Sequence, residues 1–391
     1  MFPEGSLSSP ADTVVSGLNR AKIAWYYIDP LFQRTQNSTP SDINADDQSN
    51  NYVREVPQAE IFPNKSNPNG PQTITCLNVA YYPSERGPYN YDVFPTPVSR
   101  GLNINGALEE PDTRWGGIMR KIETVDFESN NIEFIQFWMM DPFADSSLNN
   151  GTGGDLYFNI GSLSEDILKD NHKSFENGLP ATGTNNYTTE NSPWGVYPTI
   201  QSIVNAFDNN VTSREQQDVG LDGLSDANEA NYFSTYLDEV QRRWTTTSGA
   251  YLQATDDPSA DNYKYFLADD YTPANASPLE RYKRWNGMEG NSIPNGNEVS
   301  QATNYPDIED INRDNNMNTG ENYFQYKVVL KPGNMIVGQN YITDAITTNN
   351  VSLANNTTGS ITWYQFKIPI KTPDKTIGTP ELTNVEFIRM F

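Results

Sequence analysis

Two runs near the C-terminus most strongly limit what this chain can fold into. ITWYQFKIPI (361–370) alternates Thr362, Tyr364, Phe366 and Ile368 against more polar neighbours, and YFQYKVVL (323–330) sets Phe324, Tyr326, Val328 and Leu330 on one face. A strand sends successive side chains to opposite faces, so each run predicts a strand with one buried side. NIEFIQFWMMD (131–141) is apolar on both faces from Phe134 onward, which predicts a central strand of a sandwich. Between such runs lie loops rich in Asn, Gly, Pro and Ser, residues that favour turns for distinct backbone reasons. Asn alone is about one residue in eight or nine, well above common usage. The pattern predicts a mainly β protein with long, elaborate loops.

The chain also echoes itself. NIEFIQFW (131–138) matches NVEFIRMF (384–391) residue type by residue type over the first five positions. Each is preceded by a Trp-led amphipathic strand, WGGIMRKI from Trp115 and WYQFKIPI from Trp363. A repeat separated by about 250 residues predicts two copies of one sandwich unit. The fold expected is therefore two jelly-roll-like (galactose-binding-like) β-sandwiches with a loop-rich, partly helical insertion. Residues 1–194 would form the first sandwich with an extended N-terminal segment, 195–322 the insertion, and 323–391 the strands of a second, truncated sandwich. The opening MFPEGSLSSPADT and the close at LTNVEFIRMF, inside a strand pattern, lead us to expect a fragment of something longer.

Within the insertion, ANEANYFSTYLDEVQRRW (227–244) places Tyr232, Phe233, Tyr236, Leu237 and Val240 at helical spacing, predicting one amphipathic helix. Two acidic loops flank this region. In the register of an EF-hand loop, oxygen ligands fall at positions 1, 3, 5, 9 and 12 with a tight bend at 6. Counting from Asp310, those positions hold Asp310, Asn312, Asp314, Asn318 and Glu321, with Asn315 at the bend. Asn is the residue that best replaces Gly at a left-handed position. Counting from Asp218, positions 1, 5, 9 and 12 hold Asp218, Asp222, Asp226 and Glu229, with Gly223 at the bend and Gly220 bringing no side-chain oxygen at position 3. Two readings stay open: calcium loops, at one site or two, or Asn/Asp-rich turns whose side chains cap their own backbone.

Composition excludes several functions. A formal net charge of −24 opposes binding to nucleic acid phosphates or anionic lipid headgroups, and it suits divalent cations. Cys76 is the only cysteine, so there is no internal disulfide, and its place in TITCLNVAYY reads as a small buried strand residue. His172 is the only histidine and lies in the polar run LKDNHKSFENG, which leaves no His-rich zinc site and no evident Ser–His or Cys–His unit. Paired acids such as Glu109/Glu110 and Asp256/Asp257, with Trp115, Trp138, Trp244 and Trp285, lack a glycosidase signature, because adjacent acids on a strand point to opposite faces. No apolar run approaches the ~18 residues of a membrane helix.

Longer stretches carry a resemblance. GLNRAKIAWYYIDPLF (17–32), RGPYNYD (86–92), RWGGIMRKIETVDFESNNIEFIQFWMMDPF (114–143), GDLYFNIGSLSEDILKDN with FENGLP (154–180), QDVGLDGLSD (217–226) and EDINRDNNMNTGENYFQY (309–326) together resemble the SprA/Sov gliding-motility family. The resemblance implies a very large outer-membrane β-barrel of Bacteroidetes, the translocon of the type IX secretion system. Folded cargo passes through it with help from partners such as a PorV-like protein and a plug protein. It implies no enzyme, no catalytic residues and no cofactor beyond the calcium read from spacing. This chain would be a soluble structural portion outside the bilayer, facing the periplasm or the cell exterior, without direct membrane insertion. The alternative is a calcium-stabilised carbohydrate-binding or adhesive cell-surface module.

Overall fold

The computed structural model describes residues 17–65, 70–145, 153–173, 188–199, 222–285 and 309–391, together with Val15 and Pro68. Its strands are β1 (Lys22–Tyr26), β2 (Val56–Pro57), β3 (Thr73–Ile74), β4 (Asn78–Tyr82), β5 (Ile118–Lys121), β6 (Phe134–Met140), β7 (Gly154–Ser162), β8 (Thr189–Ser192), β9 (Gly195–Pro198), β10 (Asn322–Leu330), β11 (Ile342–Ser352), β12 (Thr358–Pro369), β13 (Lys375–Ile377) and β14 (Phe387–Met390). The α-helices are short: α1 (Pro30–Gln33), α2 (Ala45–Ser49), α3 (Gln58–Ile61), α4 (Asp226–Tyr232), α5 (Ser234–Arg243), α6 (Gly249–Asp256) and α7 (Pro278–Tyr282).

Eight strands form two facing sheets, ordered β13–β10–β7–β14–β5 and β11–β12–β6. The alternation read from the sequence holds. Tyr326 and Val328 of β10 meet Phe366 and Ile368 of β12 in one buried core, with Phe324, Leu330 and Tyr364 packed at its margin. Phe137 of β6 stacks on Phe366 at 4.9 Å and reaches Phe158 of the opposite sheet at 5.4 Å. NIEFIQFWMMD is not central, however: β6 lies at the end of its sheet. Both of its faces are apolar for another reason. Ile135, Phe137 and Met139 serve the main core, while Trp138 and Met140 pack on a satellite cluster with Val56, Ile61, Ile361 and Trp363.

The internal echo pairs crosswise. β6 lies antiparallel to β12, with Phe134 opposite Pro369 and Ile135 opposite Ile368. β14 lies antiparallel to β5, with Phe387 opposite Lys121 and Ile388 opposite Arg120. Superposing the two copies on Trp115 and Trp363 makes Lys121 equivalent to Pro369 and Arg120 to Ile368, so the two pairings share one register. The flanking bonds agree: the Ile370 amide donates to the Glu133 carbonyl at 3.0 Å, and the Ile122 amide donates to that of Glu386 at 2.7 Å. Each copy's second strand thus completes the other copy's first. Among the described residues, one eight-stranded sandwich replaces the two jelly-roll-like sandwiches expected. Strands from residues 1–194 and 323–391 share its sheets, because crosswise pairing satisfies backbone edges that two separate units would leave open.

The remaining segments pack beside it. Ala24, Tyr26, Ile28, Phe32 and Val53 of the N-terminal stretch bury themselves against Phe266, Tyr282 and Trp285. Ala21, Val93, Leu102 and Leu108 do so against Phe233, Tyr236, Val240, Ala250 and Ala254. The single helix expected over 227–244 is two, α4 and α5, broken at Phe233 (φ −91°, ψ 24°), which turns the chain while keeping Phe233, Tyr236 and Val240 on the buried side. Cys76 is half-buried in the short connection between β3 and β4 rather than inside a strand.

Candidate functional site

The acidic loops share one local geometry. In the loop from Asp310, the aspartate carboxylate accepts from the main-chain amides of Asp314 (Oδ1, 2.9 Å) and Asn315 (Oδ2, 2.9 Å). Asn315 is left-handed at φ 68°, as its place at the bend requires, and Arg313 is left-handed at φ 61°. Two further loops repeat this arrangement. Asp166 accepts from Asp170 (3.2 Å) and Asn171 (3.1 Å), and Asp257 accepts from Asp261 (3.2 Å) and Asn262 (3.4 Å). Each spells Asp-x-x-x-Asp-Asn: DILKDN, DPSADN and DINRDN. DVGLDG (218–223) follows the same pattern with Gly in the last place, and Gly223 has φ 68°. Only two of these four loops carry an acid at position 12, Glu229 and Glu321, and so fit the EF-hand register. The shorter hexapeptide was the usable signal.

Two of the loops embrace. EDILKDN (165–171) follows β7, and EDINRDN (309–315) precedes β10, at the same end of the β7–β10 ladder. Glu309 accepts from the Leu168 amide at 2.8 Å, and Glu165 accepts from the Asn312 amide at 3.1 Å. In both cases a glutamate beside one loop caps the third residue of the other. Glu165 also accepts from the Asn318 amide at 3.1 Å, while the Glu165 amide donates to the Asn318 carbonyl at 2.7 Å. Burial pushes the Glu165 carboxyl up from its ordinary value, opposed by these amide bonds.

The structure places the sequence-derived ligands as follows. Asp310 is buried, and its Oδ2 also receives the Lys173 ammonium at 2.7 Å. Asn312 is half-buried and Asp314 exposed, and they are bonded to each other, the Asn312 Nδ2 donating to Asp314 Oδ2 at 3.1 Å. Asn318 faces Glu165 through its backbone. Glu321 is not turned to this loop: it is buried against Arg389, with bonds of 3.1 and 3.2 Å, and against Lys169 at 3.3 Å. A carboxylate neutralised by two cations is a poor metal ligand. Asp218 lies outside the described residues, and the backbone of Asp226 opens α4. Asp222 is buried and accepts from the Leu224 amide at 2.9 Å. Glu229 joins different acids.

Two carboxylate triads result, in each of which one oxygen per residue lies within 4.8 Å of the others: Asp166, Asp170 and Glu309, and Glu229, Asp257 and Asp261. Each combines the first and fifth residues of an Asp-x-x-x-Asp-Asn loop with a glutamate from elsewhere. His172, beside the first triad, is exposed and stacks on Tyr197 at 4.4 Å.

The described residues form a mainly β protein with braced acidic loops. Residues 235–391, from α5 through the loop of Asp310 to β14, match the family model SprA_N, described as "Motility related/secretion protein". This portion is thus similar to motility-related and secretion proteins. The match covers less than half of the chain and supports its assignment to the SprA/Sov family. No curated protein matches it. No helix among the described residues is long and apolar enough to cross a membrane.

Proposed function

We propose that this chain is a structural, non-catalytic portion of an outer-membrane protein-secretion channel of the type IX secretion and gliding-motility kind, shaping the vestibule or docking cargo and partner proteins. The observation that carries this reading is the family match over residues 235–391, which spans the embracing loop of Asp310 and five of the eight sandwich strands. Crosswise pairing supports a structural role, since it ties segments about 250 residues apart into one core. Calcium would stiffen the acidic loops by neutralising clustered carboxylates, and the recurring loop geometry supports that part of the reading.

The test is capture of the full-length protein from detergent-solubilised outer membranes through a tag on this portion. Co-purification of a PorV-like protein, a plug protein and secreted cargo is expected. Selective binding on a glycan array without those partners would favour the adhesive alternative instead. For the calcium part, a melting temperature indifferent to both EDTA and added calcium would end it.

A further inference from the structure

Glu229 sits on the inner face of α4 and is fully buried, at 0% exposure. Its Oε2 accepts from the Ser259 amide at 3.1 Å and from the Ser259 hydroxyl at 2.7 Å, while Oε1 has no partner among the described residues. Ser259 lies in the turn after α6, where Asp257 holds the amides of Asp261 and Asn262 and Ala260 is left-handed at φ 60°. That turn returns Asp261, also buried, to the same point. The Ser259 hydroxyl contacts both Glu229 Oε2 and Asp261 Oδ1. A hydroxyl has one proton to give, so it cannot donate to both carboxylate oxygens at once. Arg86, the neighbouring cation, donates instead to the main-chain carbonyls of Asp257 (3.4 Å) and Pro258 (2.7 Å). A buried carboxylate oxygen without a partner is costly, and three acids around it multiply the cost.

We propose that Glu229, Asp257 and Asp261 bind a hard divalent cation of the calcium class, with water completing the coordination. The oxygens lie within 4.8 Å of one another, a spread that fits ligands placed about 2.3–2.6 Å from a central ion. All three donors are hard oxygens, which selects calcium or magnesium over zinc or copper. The ion would supply a partner for Glu229 Oε1 and positive charge in a desolvated place. Burial first, then the charge of Asp261, raises the Glu229 carboxyl above its ordinary value. The triad of Asp166, Asp170 and Glu309 repeats the design elsewhere in the fold. This site differs from the one suggested by the spacing of Asp218, Asp222, Asp226 and Glu229, because only Glu229 is shared. The inference rests on the calcium part of the proposed function and not on the secretion part.

The test is calorimetric titration of the chelator-treated chain with calcium, alongside terbium luminescence, for wild type, E229Q, D261N and D314N. E229Q and D261N should each lose one equivalent of calcium, or bind it about tenfold or more weakly, and D314N should keep that equivalent. E229Q keeps the size and shape of the side chain, so its calcium-free form should melt close to wild type while losing the calcium-induced rise at this site. Full wild-type stoichiometry and affinity in both E229Q and D261N would overturn this site and leave calcium bracing by other loops standing. Absence of calcium uptake by wild type at millimolar concentration would overturn both. Should D261N not fold, D257N and E229Q carry the same reading.

Discussion

The carboxylate of Glu165 accepts a hydrogen bond from the main-chain amide of Asn312, 3.1 Å away and 147 residues further along the chain. With its counterpart between Glu309 and Leu168, it fastens the loop after β7 to the loop before β10. E165A would strand the half-buried amides of Asn312 and Asn318, and two charge-assisted bonds of this kind are worth about 2–4 kcal/mol together. Urea denaturation should show that loss. Hydrogen exchange should accelerate at Asn312 and Asn318 well before global unfolding, and unchanged exchange there would show that the clasp does not hold the loop.

Glu60 holds α3 to the sandwich. Its buried carboxylate pairs bidentately with Arg54 (2.7 and 2.8 Å) and accepts from the Trp363 indole at 2.7 Å. Breaking one partner of a buried pair leaves an uncompensated charge, so E60A should cost about 3–5 kcal/mol. E60A with R54M should cost less than E60A alone. A chemical-denaturation cycle checks the order, and a double variant weaker than the single one would refute it.

Phe366 is fully buried and lies nearly parallel to Phe137, at 9° and 4.9 Å. F366A should cost about 3–5 kcal/mol, and the cycle with F137A should return a coupling of about 0.5–1.5 kcal/mol. Because crosswise pairing makes both copies of the repeat one core, F366A should lower a single sandwich transition seen equally by probes in β5 and β12. Separate transitions would mean two independently folding units.

Burial is the largest cause pushing the Cys76 thiol above its ordinary value, with the charge of Glu60 adding to it. Since the thiolate is the nucleophile, alkylation by iodoacetamide should be slower in the native chain than in urea, and the gap should narrow only at strongly alkaline pH. Equal rates at neutral pH would contradict the half-buried placement.

Much of this was legible in the residues. The period of two in 323–330 and 361–370 named the core faces of β10 and β12 correctly, because burying alternate side chains is a local property of a strand. Asn315 and Gly223 were recognisable as bends, because a left-handed backbone admits few residue types. The helix break at Phe233 was not, since apolar spacing continues across it and nothing local marks the turn.

The repeat of N-[IV]-E-F-I, the strand character and the acidic loops belong to the sequence alone. Which strand pairs with which does not. Residues 131–138 and 384–391 carry nearly the same pattern, so either could in principle pair with either Trp-led strand, and only the closing of both sheets around one core selects the crosswise arrangement. The ligand sets follow the same logic. Spacing joined Glu229 to Asp218, Asp222 and Asp226, and Glu321 to Asp310, because it measures distance along the chain. Tertiary packing gave Glu229 to Asp257 and Asp261, and Glu321 to Arg389 and Lys169, because a buried carboxylate must be answered by whatever charge or donor the fold brings beside it.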